Sequence, residues 1–160
     1  MIGLLIAEAP MPDARWRGQR RQGGGDVADD ALLDLRFGLA DKPAAGFAWH
    51  GECTLGEDGD PDPAAVLLFN FCGIEPNAEE EFNAWYDTEH VPRLAALPGV
   101  QRVRRYRSSE HDPAYLAFYE IDAPQVAQGD AWLTAARTPW TMRMKQFTRG
   151  YRSYLFEPLP

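Results

Sequence analysis

The sequence contains few of the residues on which many kinds of site depend. Two cysteines and three histidines occur among 160 residues, and they form no CxxC or His-rich ligand set. Neither a disulfide framework nor a zinc site is indicated, so we expect no metal and no cofactor. The sequence also lacks GxGxxG, P-loop and GxSxG motifs, which leaves nucleotide chemistry and serine hydrolysis without support.

Basic residues and long apolar runs are also scarce. The net charge is −8, which disfavours a nucleic-acid surface because phosphate binding needs clustered basic residues. No stretch approaches the ~20 consecutive apolar residues of a membrane-spanning helix. The apolar start of the chain lacks the basic region of a signal peptide and predicts a strand instead. We therefore expect a cytoplasmic protein without nucleic-acid or membrane partners.

Residues 1–63 are predicted to form an N-terminal extension. Residues 9–30 are rich in glycine, proline and charge, and predict a long mobile loop. We expect a short helix over 31–39 and a strand over 46–55. Residues 56–63 concentrate glycine, proline and aspartate and predict a linker. The role of the extension stays open between a lid, an extra strand and a partner surface.

From residue 64 onward the pattern becomes regular. Proline at position 92 should break or kink the first helix just after His90. The order β-α-β-β-α-β predicts a ferredoxin-like α+β domain over 64–160. The predicted strands cover 64–74, 100–108, 114–121 and 151–157, and the predicted helices run from about 78 and between 124 and 150.

One segment carries a family resemblance. FNAWYDTEHVPRLAALPGVQRVRRY, supported by TPW and a closing GYR, resembles the dimeric α/β-barrel superfamily, within it the EthD-like and related branch. The resemblance covers residues 64–160. It implies that two ferredoxin-like sheets pair as a closed barrel, hence a homodimer, with a pocket between each sheet and its helices. Members include cofactor-independent monooxygenases, isomerases, polyketide cyclases, lyases and some haem enzymes, so the fold alone does not choose a reaction.

Three residues are predicted to carry the chemistry. His90 is our first candidate for a general acid or base, because histidine exchanges a proton near neutral pH; it could instead cap the end of its helix. Tyr86 lies one turn earlier on the same helical face and could donate to an enolate oxygen, or simply pack in the core. Arg105 could bind a substrate carboxylate or pair with a partner subunit.

Seven further residues complete the predicted site as substrate-binding groups. A polar residue interrupts the first strand of the domain, and aromatic residues offer a wall, although an aromatic core is the commoner meaning of such a set. The histidine at position 50 would join only if the N-terminal extension folds over the cavity. The seven are Asn70, Trp85, Tyr106, Tyr119, Trp140, Arg152 and His50.

Together these features predict an enzyme without a cofactor. It would perform acid/base chemistry on a small aromatic or polyketide-like oxygenated substrate, as a lyase or as an isomerase/cyclase. The sequence leaves three alternatives open: a cofactor-free monooxygenase, a haem-binding protein and a non-catalytic dimeric ligand-binding protein.

Overall fold

The computed structural model describes residues 1–11, 13–21, 31–38 and 46–160. Their strands form one closed barrel in which neighbours pair antiparallel, in the order β1-β3-β2-β8-β5-β7-β6-β4. The strands are β1 Ile2–Glu8, β2 Trp16–Arg21, β3 Leu33–Phe37, β4 Phe47–Leu55, β5 Val66–Ile74, β6 Val100–Arg107, β7 Tyr115–Ile121 and β8 Thr148–Pro158.

The second half of the chain is the predicted ferredoxin-like unit, and its four strands are confirmed. The helices lie in the two crossovers, between β5 and β6 and between β7 and β8. The first crossover contains a 3₁₀ turn (Pro76–Ala78), α1 (Glu79–Trp85), a π-helical turn (Tyr86–His90) and α2 (Val91–Ala95). The second contains a 3₁₀ turn (Pro124–Ala127), α3 (Asp130–Ala136) and α4 (Pro139–Met144).

The first half of the chain completes the same barrel. Within each half the strands lie in the order fourth, first, third, second, so β1–β4 repeat the arrangement of β5–β8. The halves join where β2 pairs with β8 and β4 pairs with β6. Strands β1–β4 of the same chain thus occupy the position in the barrel where the resemblance implies the sheet of a second subunit. A second copy is not needed to close the barrel, and the homodimer stays a prediction.

Two secondary-structure predictions for the first half were wrong. The helix expected over 31–39 is strand β3, because Leu33, Leu35 and Phe37 alternate with polar residues and pack into the barrel interior. The mobile loop expected over 9–30 contains strand β2, whereas residues 12 and 22–30 of that loop lie outside the described residues. The strand expected over 46–55 is confirmed as β4.

The barrel interior is a packed core. Large aromatic side chains fill it, including Trp49, Phe69 and Phe118. Near one end Arg104 hydrogen-bonds Glu120, both buried, and also Gly59 in the connection from β4 to β5. The predicted linker over 56–63 therefore contacts the buried pair at this end of the barrel.

The helices cover the outer face of the sheet along β5–β8. Phe82, Trp85 and Tyr86 lie at i, i+3 and i+4, and all three are buried against the sheet. The break expected after His90 is absent. The helix instead passes through the π-helical turn, and Pro92 lies in the first turn of α2, where no hydrogen-bond donor is required. Among the described residues, no helix is long and apolar enough to cross a membrane.

Barrel closure generates a prediction at Gly18 in β2. A Cβ atom there would lie 1.8 Å from the Leu155 carbonyl oxygen and 2.7 Å from the Phe156 Cα in β8. Backbone atoms cannot rotate away, so Gly18→Ala should lower the free energy of unfolding by about 3 kcal/mol, measured by urea denaturation. Gly73→Ala in β5 is the matched control, because its nearest neighbour is the Asp112 side chain at 3.3 Å. Equal losses in both variants would contradict a tight β2–β8 seam.

Candidate functional site

A cavity of about 400 Å³ lies between the outer face of the sheet and the helices, the location that the resemblance implies. This volume is in the range of small-molecule sites. Its wall combines aromatic rings with a few polar groups. The lining residues are Asn70, Cys72, Phe82, Trp85, Tyr86, His90, Leu94, Trp132, Leu133, Ala136, Arg137, Thr141, Lys145, Thr148 and Tyr151.

His90 is the titratable imidazole of this wall. Its ring centroid lies 4.4 Å from that of Trp85 and 5.1 Å from that of Tyr86. Burial, together with the positive charges of Arg105 and Lys145, lowers the pKa of His90 to about 4. The imidazole is therefore neutral near pH 7, and its buried Nδ1 has no hydrogen-bond partner among the described residues.

Two other buried polar atoms of this region also lack a partner among the described residues. They are the Trp85 indole nitrogen and the Tyr119 hydroxyl. Tyr119 lies behind the cavity wall, with its ring 5.2 Å from that of Trp132. Buried polar groups are normally paired, so three unpaired groups in one region distinguish this site from an ordinary core. Burial also raises the pKa of the Tyr86 phenol, so its hydroxyl stays a proton donor.

Strand β5 contributes the polar side of the wall. The Asn70 side-chain oxygen accepts hydrogen bonds from the Tyr151 hydroxyl at 3.1 Å and from the Ser153 hydroxyl at 2.7 Å. Cys72, two residues further along, presents a thiol whose pKa burial raises to about 12. The thiol is therefore protonated and unsuited to act as a nucleophile.

Arg105 does not line the cavity. Its Nη1 donates to Asp87 at 2.8 Å and its Nη2 to Asn83 at 2.9 Å, so residues of the first helical crossover occupy both ends of the guanidinium. The guanidinium carbon lies 4.1 Å from the centre of the Tyr86 ring. In this arrangement Arg105 fixes the position of Tyr86 from behind, and it does not present its fork to a ligand in the cavity.

Four of the other predicted site residues lie elsewhere. Tyr106 faces the barrel interior and donates to Asp58 at 2.9 Å. The Trp140 indole donates to Glu81 at 3.1 Å, away from the cavity wall. The Arg152 guanidinium lies 4.9 Å from the centre of the Phe47 ring, a core residue of the barrel, and His50 pairs with His111 at 2.9 Å. Of the predicted set, the structure gathers His90, Tyr86, Trp85 and Asn70 at the cavity, with Tyr119 adjacent.

Sequence reasoning missed two cations, Arg137 and Lys145, as lining residues. The cations follow the last residues of α3 and α4, where helix ends commonly carry basic residues. Their positions at helix ends therefore gave no reason to select them as site residues. Only the packed structure of the second crossover shows that both helices end beside the same cavity.

Comparisons with known proteins find a shared fold and no shared family. No family model matches the chain, and no curated protein matches it. Solved structures do match. An uncharacterised ferredoxin-fold protein related to antibiotic biosynthesis monooxygenases, from Listeria monocytogenes, has a TM-score of 0.57 at 10% identity, covering 100% of this chain and 95% of its own. The chain has a ferredoxin-like fold.

Two further structures show how widely this fold is used. A heme-degrading enzyme from Listeria monocytogenes has a TM-score of 0.55 at 8% identity, covering 99% of this chain and 100% of its own. A major regulator of staphylococcal pathogenesis has a TM-score of 0.58 at 10% identity, also covering 99% and 100%. The likeness thus includes the first half of the chain. At such identities it shows the fold alone, so the EthD-like branch stays a prediction.

The burial of His90 predicts acid sensitivity. An unfolded histidine binds its proton near pH 6.5, whereas folded His90 does so only near pH 4. Between these values the unfolded state binds more protons, so stability is present above pH 6.5 and is lost as the pH falls to 4. The expected loss in the free energy of unfolding is about 3 kcal/mol. Urea denaturation across this pH window should show a smaller loss for His90→Gln, and equal losses would contradict a buried neutral His90.

Proposed function

We propose that the cavity binds a small aromatic, oxygenated molecule and that the protein is a cofactor-independent monooxygenase acting on it. The observation that carries the proposal is the neutral imidazole of His90, buried beside Trp85 and Tyr86 in an aromatic-lined cavity. A neutral imidazole can accept a proton, and the described residues of the lining include no carboxylate that would do so instead.

The reaction begins with removal of a proton from an acidic C–H or O–H group of the substrate by His90. The negative charge left behind spreads over the ring and its oxygen. Tyr86 lines the same cavity and its hydroxyl keeps its proton, so it can donate to that oxygen as the charge develops. Arg105 holds the Tyr86 ring from behind.

His90 is a weak base in the free protein, and the substrate anion makes it a stronger one. A pKa of about 4 makes His90 a weak base in the free protein. The substrate anion formed beside it stabilises the imidazolium and raises the pKa of His90, because an opposite charge at close range favours the charged form. Proton transfer and anion formation therefore assist each other.

The anion can then react with dioxygen without a further cofactor. For a substrate with a CH₂ group between aromatic rings, the overall change is R₂CH₂ + O₂ → R₂C=O + H₂O. Carbon loses four electrons and dioxygen gains four, so no external reductant is required. Fold neighbours related to antibiotic biosynthesis monooxygenases favour this outcome. The lyase and isomerase/cyclase reactions would share the first step and consume no oxygen.

Haem binding is the competing function. Trp85 packs on the His90 ring and Nδ1 is enclosed, so a haem iron would have to bind the other ring nitrogen, which is also the atom left to accept the substrate proton. A Soret band that appears on mixing the protein with hemin, and that His90→Gln abolishes, would decide in favour of haem binding.

The test uses anthrone, whose CH₂ group is acidic and flanked by aromatic rings, in an oxygen electrode with anthraquinone detection. Wild-type protein should consume oxygen and form the ketone, because His90 starts the reaction. His90→Gln should lower kcat/KM by about 10²- to 10⁴-fold, the usual contribution of a general base. Tyr86→Phe should lower it less, since the Tyr86 hydroxyl only stabilises charge.

His111→Gln is the matched control, because this histidine pairs with His50 away from the cavity lining. It should leave the rate unchanged. Full activity in His90→Gln would remove His90 from the mechanism. Conversion of a ligand of this class without oxygen uptake would turn the assignment to a lyase or isomerase.

A further inference from the structure

The charged residues in the cavity lining are all basic among the described residues. The chain as a whole has 24 acidic and 16 basic residues, yet the cavity lining, within the part of the chain that the structure describes, includes Arg137 and Lys145 and no aspartate or glutamate. Neither cation has an ion-pair partner among the described residues, whereas most other arginines near the helices do. An acidic protein with a cationic cavity indicates a ligand of negative charge.

The acidic residues nearest to the cavity are already engaged. Glu81 accepts hydrogen bonds from Arg143 and Trp140, and Glu89 accepts one from Thr138. Asp87 binds Arg105. These carboxylates are therefore not available to neutralise the two cations in the lining.

Helix capping does not account for the two cations. Arg137 and Lys145 follow α3 and α4, where a basic side chain could bind the last carbonyl groups. Neither side chain makes such a hydrogen bond among the described residues. Both line the same cavity, together with the hydroxyl-bearing Thr148 and the half-exposed Tyr151. We call this exposed part of the lining the mouth of the cavity, and it carries both positive charges.

The deeper wall has the opposite character. Phe82, Trp85, Tyr86 and Trp132 are buried aromatic residues of the cavity lining. Rings of this kind receive a flat aromatic group in offset or edge-to-face contact. A ligand that satisfies both ends has an aromatic body and an anionic head.

We propose that the ligand is a small aromatic carboxylate, with its ring among these aromatic side chains and its carboxylate bound by Arg137 and Lys145 at the mouth. This inference rests on the proposed function and names its substrate class. A guanidinium binds a carboxylate through two parallel hydrogen bonds, and an ammonium adds a point charge. The carboxylate also offsets the positive charge of Lys145, which opposes protonation of His90. Substrate binding thereby prepares the base.

The test compares 1-naphthoate with 1-naphthamide, which has nearly the same shape and no charge. Dissociation constants are measured by calorimetry at pH 7 and low salt, because salt screens exposed cations. Wild-type protein should bind the carboxylate about tenfold more tightly than the amide. The Arg137→Gln/Lys145→Gln double variant should bind the two compounds within about twofold of each other, with affinity for the amide unchanged. Both positions are exposed, so the double variant should fold.

Arg143→Gln is the matched control, since it removes one positive charge from α4 at a residue that pairs with Glu81 and does not line the cavity. It should keep the tenfold preference. Equal affinity of the wild type for both compounds, or a preference that survives in the double variant, would overturn the carboxylate assignment and leave an aromatic cavity in place. If the wild type binds neither compound, this inference fails, whereas the proposed function is decided separately by oxygen uptake with anthrone.

Discussion

Closure of the barrel within one chain is the constraint on which the rest of the structure depends. The β2–β8 and β4–β6 pairings join two halves with the same strand order, so the described sheet has no free edge. Closure turns one face of every strand inward, where aromatic side chains and the Arg104–Glu120 pair occupy the interior. The opposite face of each strand points outward. On that face the helices of the second half leave a cavity between themselves and β5 and β8.

The two halves of the chain contribute differently to the structure. The second half contains both helical crossovers, and the cavity lies beneath them. The first half joins β1 to β2 through residues 9–15 alone, a connection shorter than either crossover of the second half. What β1–β4 supply is the other side of the barrel core, through residues such as Trp16, Leu35 and Trp49. The first half acts on the site indirectly, by holding β5–β8 in the curvature that the helices cover.

The sequence predicted the second half because its signals are local. Runs of β-forming residues, separated by turn and helix-start signals, were enough to place β5–β8. They also brought His90, Tyr86, Trp85 and Asn70 to one cavity. The sequence left open whether Arg105 binds a substrate carboxylate or a partner subunit. Its hydrogen bonds to Asn83 and Asp87 depend on how the first helical crossover packs against β6, which the sequence of the strand does not show.

The prediction of a loop at β2 was wrong for a physical reason. Strand β2 has the sequence WRGQRR, with one apolar side chain, and belongs to the sheet through backbone pairing with β3 and β8. Its partner residues in β8 lie more than 130 positions away along the chain. No local pattern reports such a pairing, and a charged, glycine-rich segment without one has the composition of a loop. The Arg17–Asp34 ion pair between β2 and β3 is likewise visible only once the strands are adjacent.

The site combines two tendencies that oppose each other in the free protein. Burial beside Trp85 keeps His90 neutral and ready to accept a proton, and nearby cations make the protonated form less stable still. An isolated base of this kind would be too weak to be useful. A negatively charged partner in the cavity changes the balance, because it compensates the cations and stabilises the imidazolium at the same time. The proposed carboxylate ligand would therefore account both for the low pKa of His90 in the free protein and for the excess of positive charge in the lining.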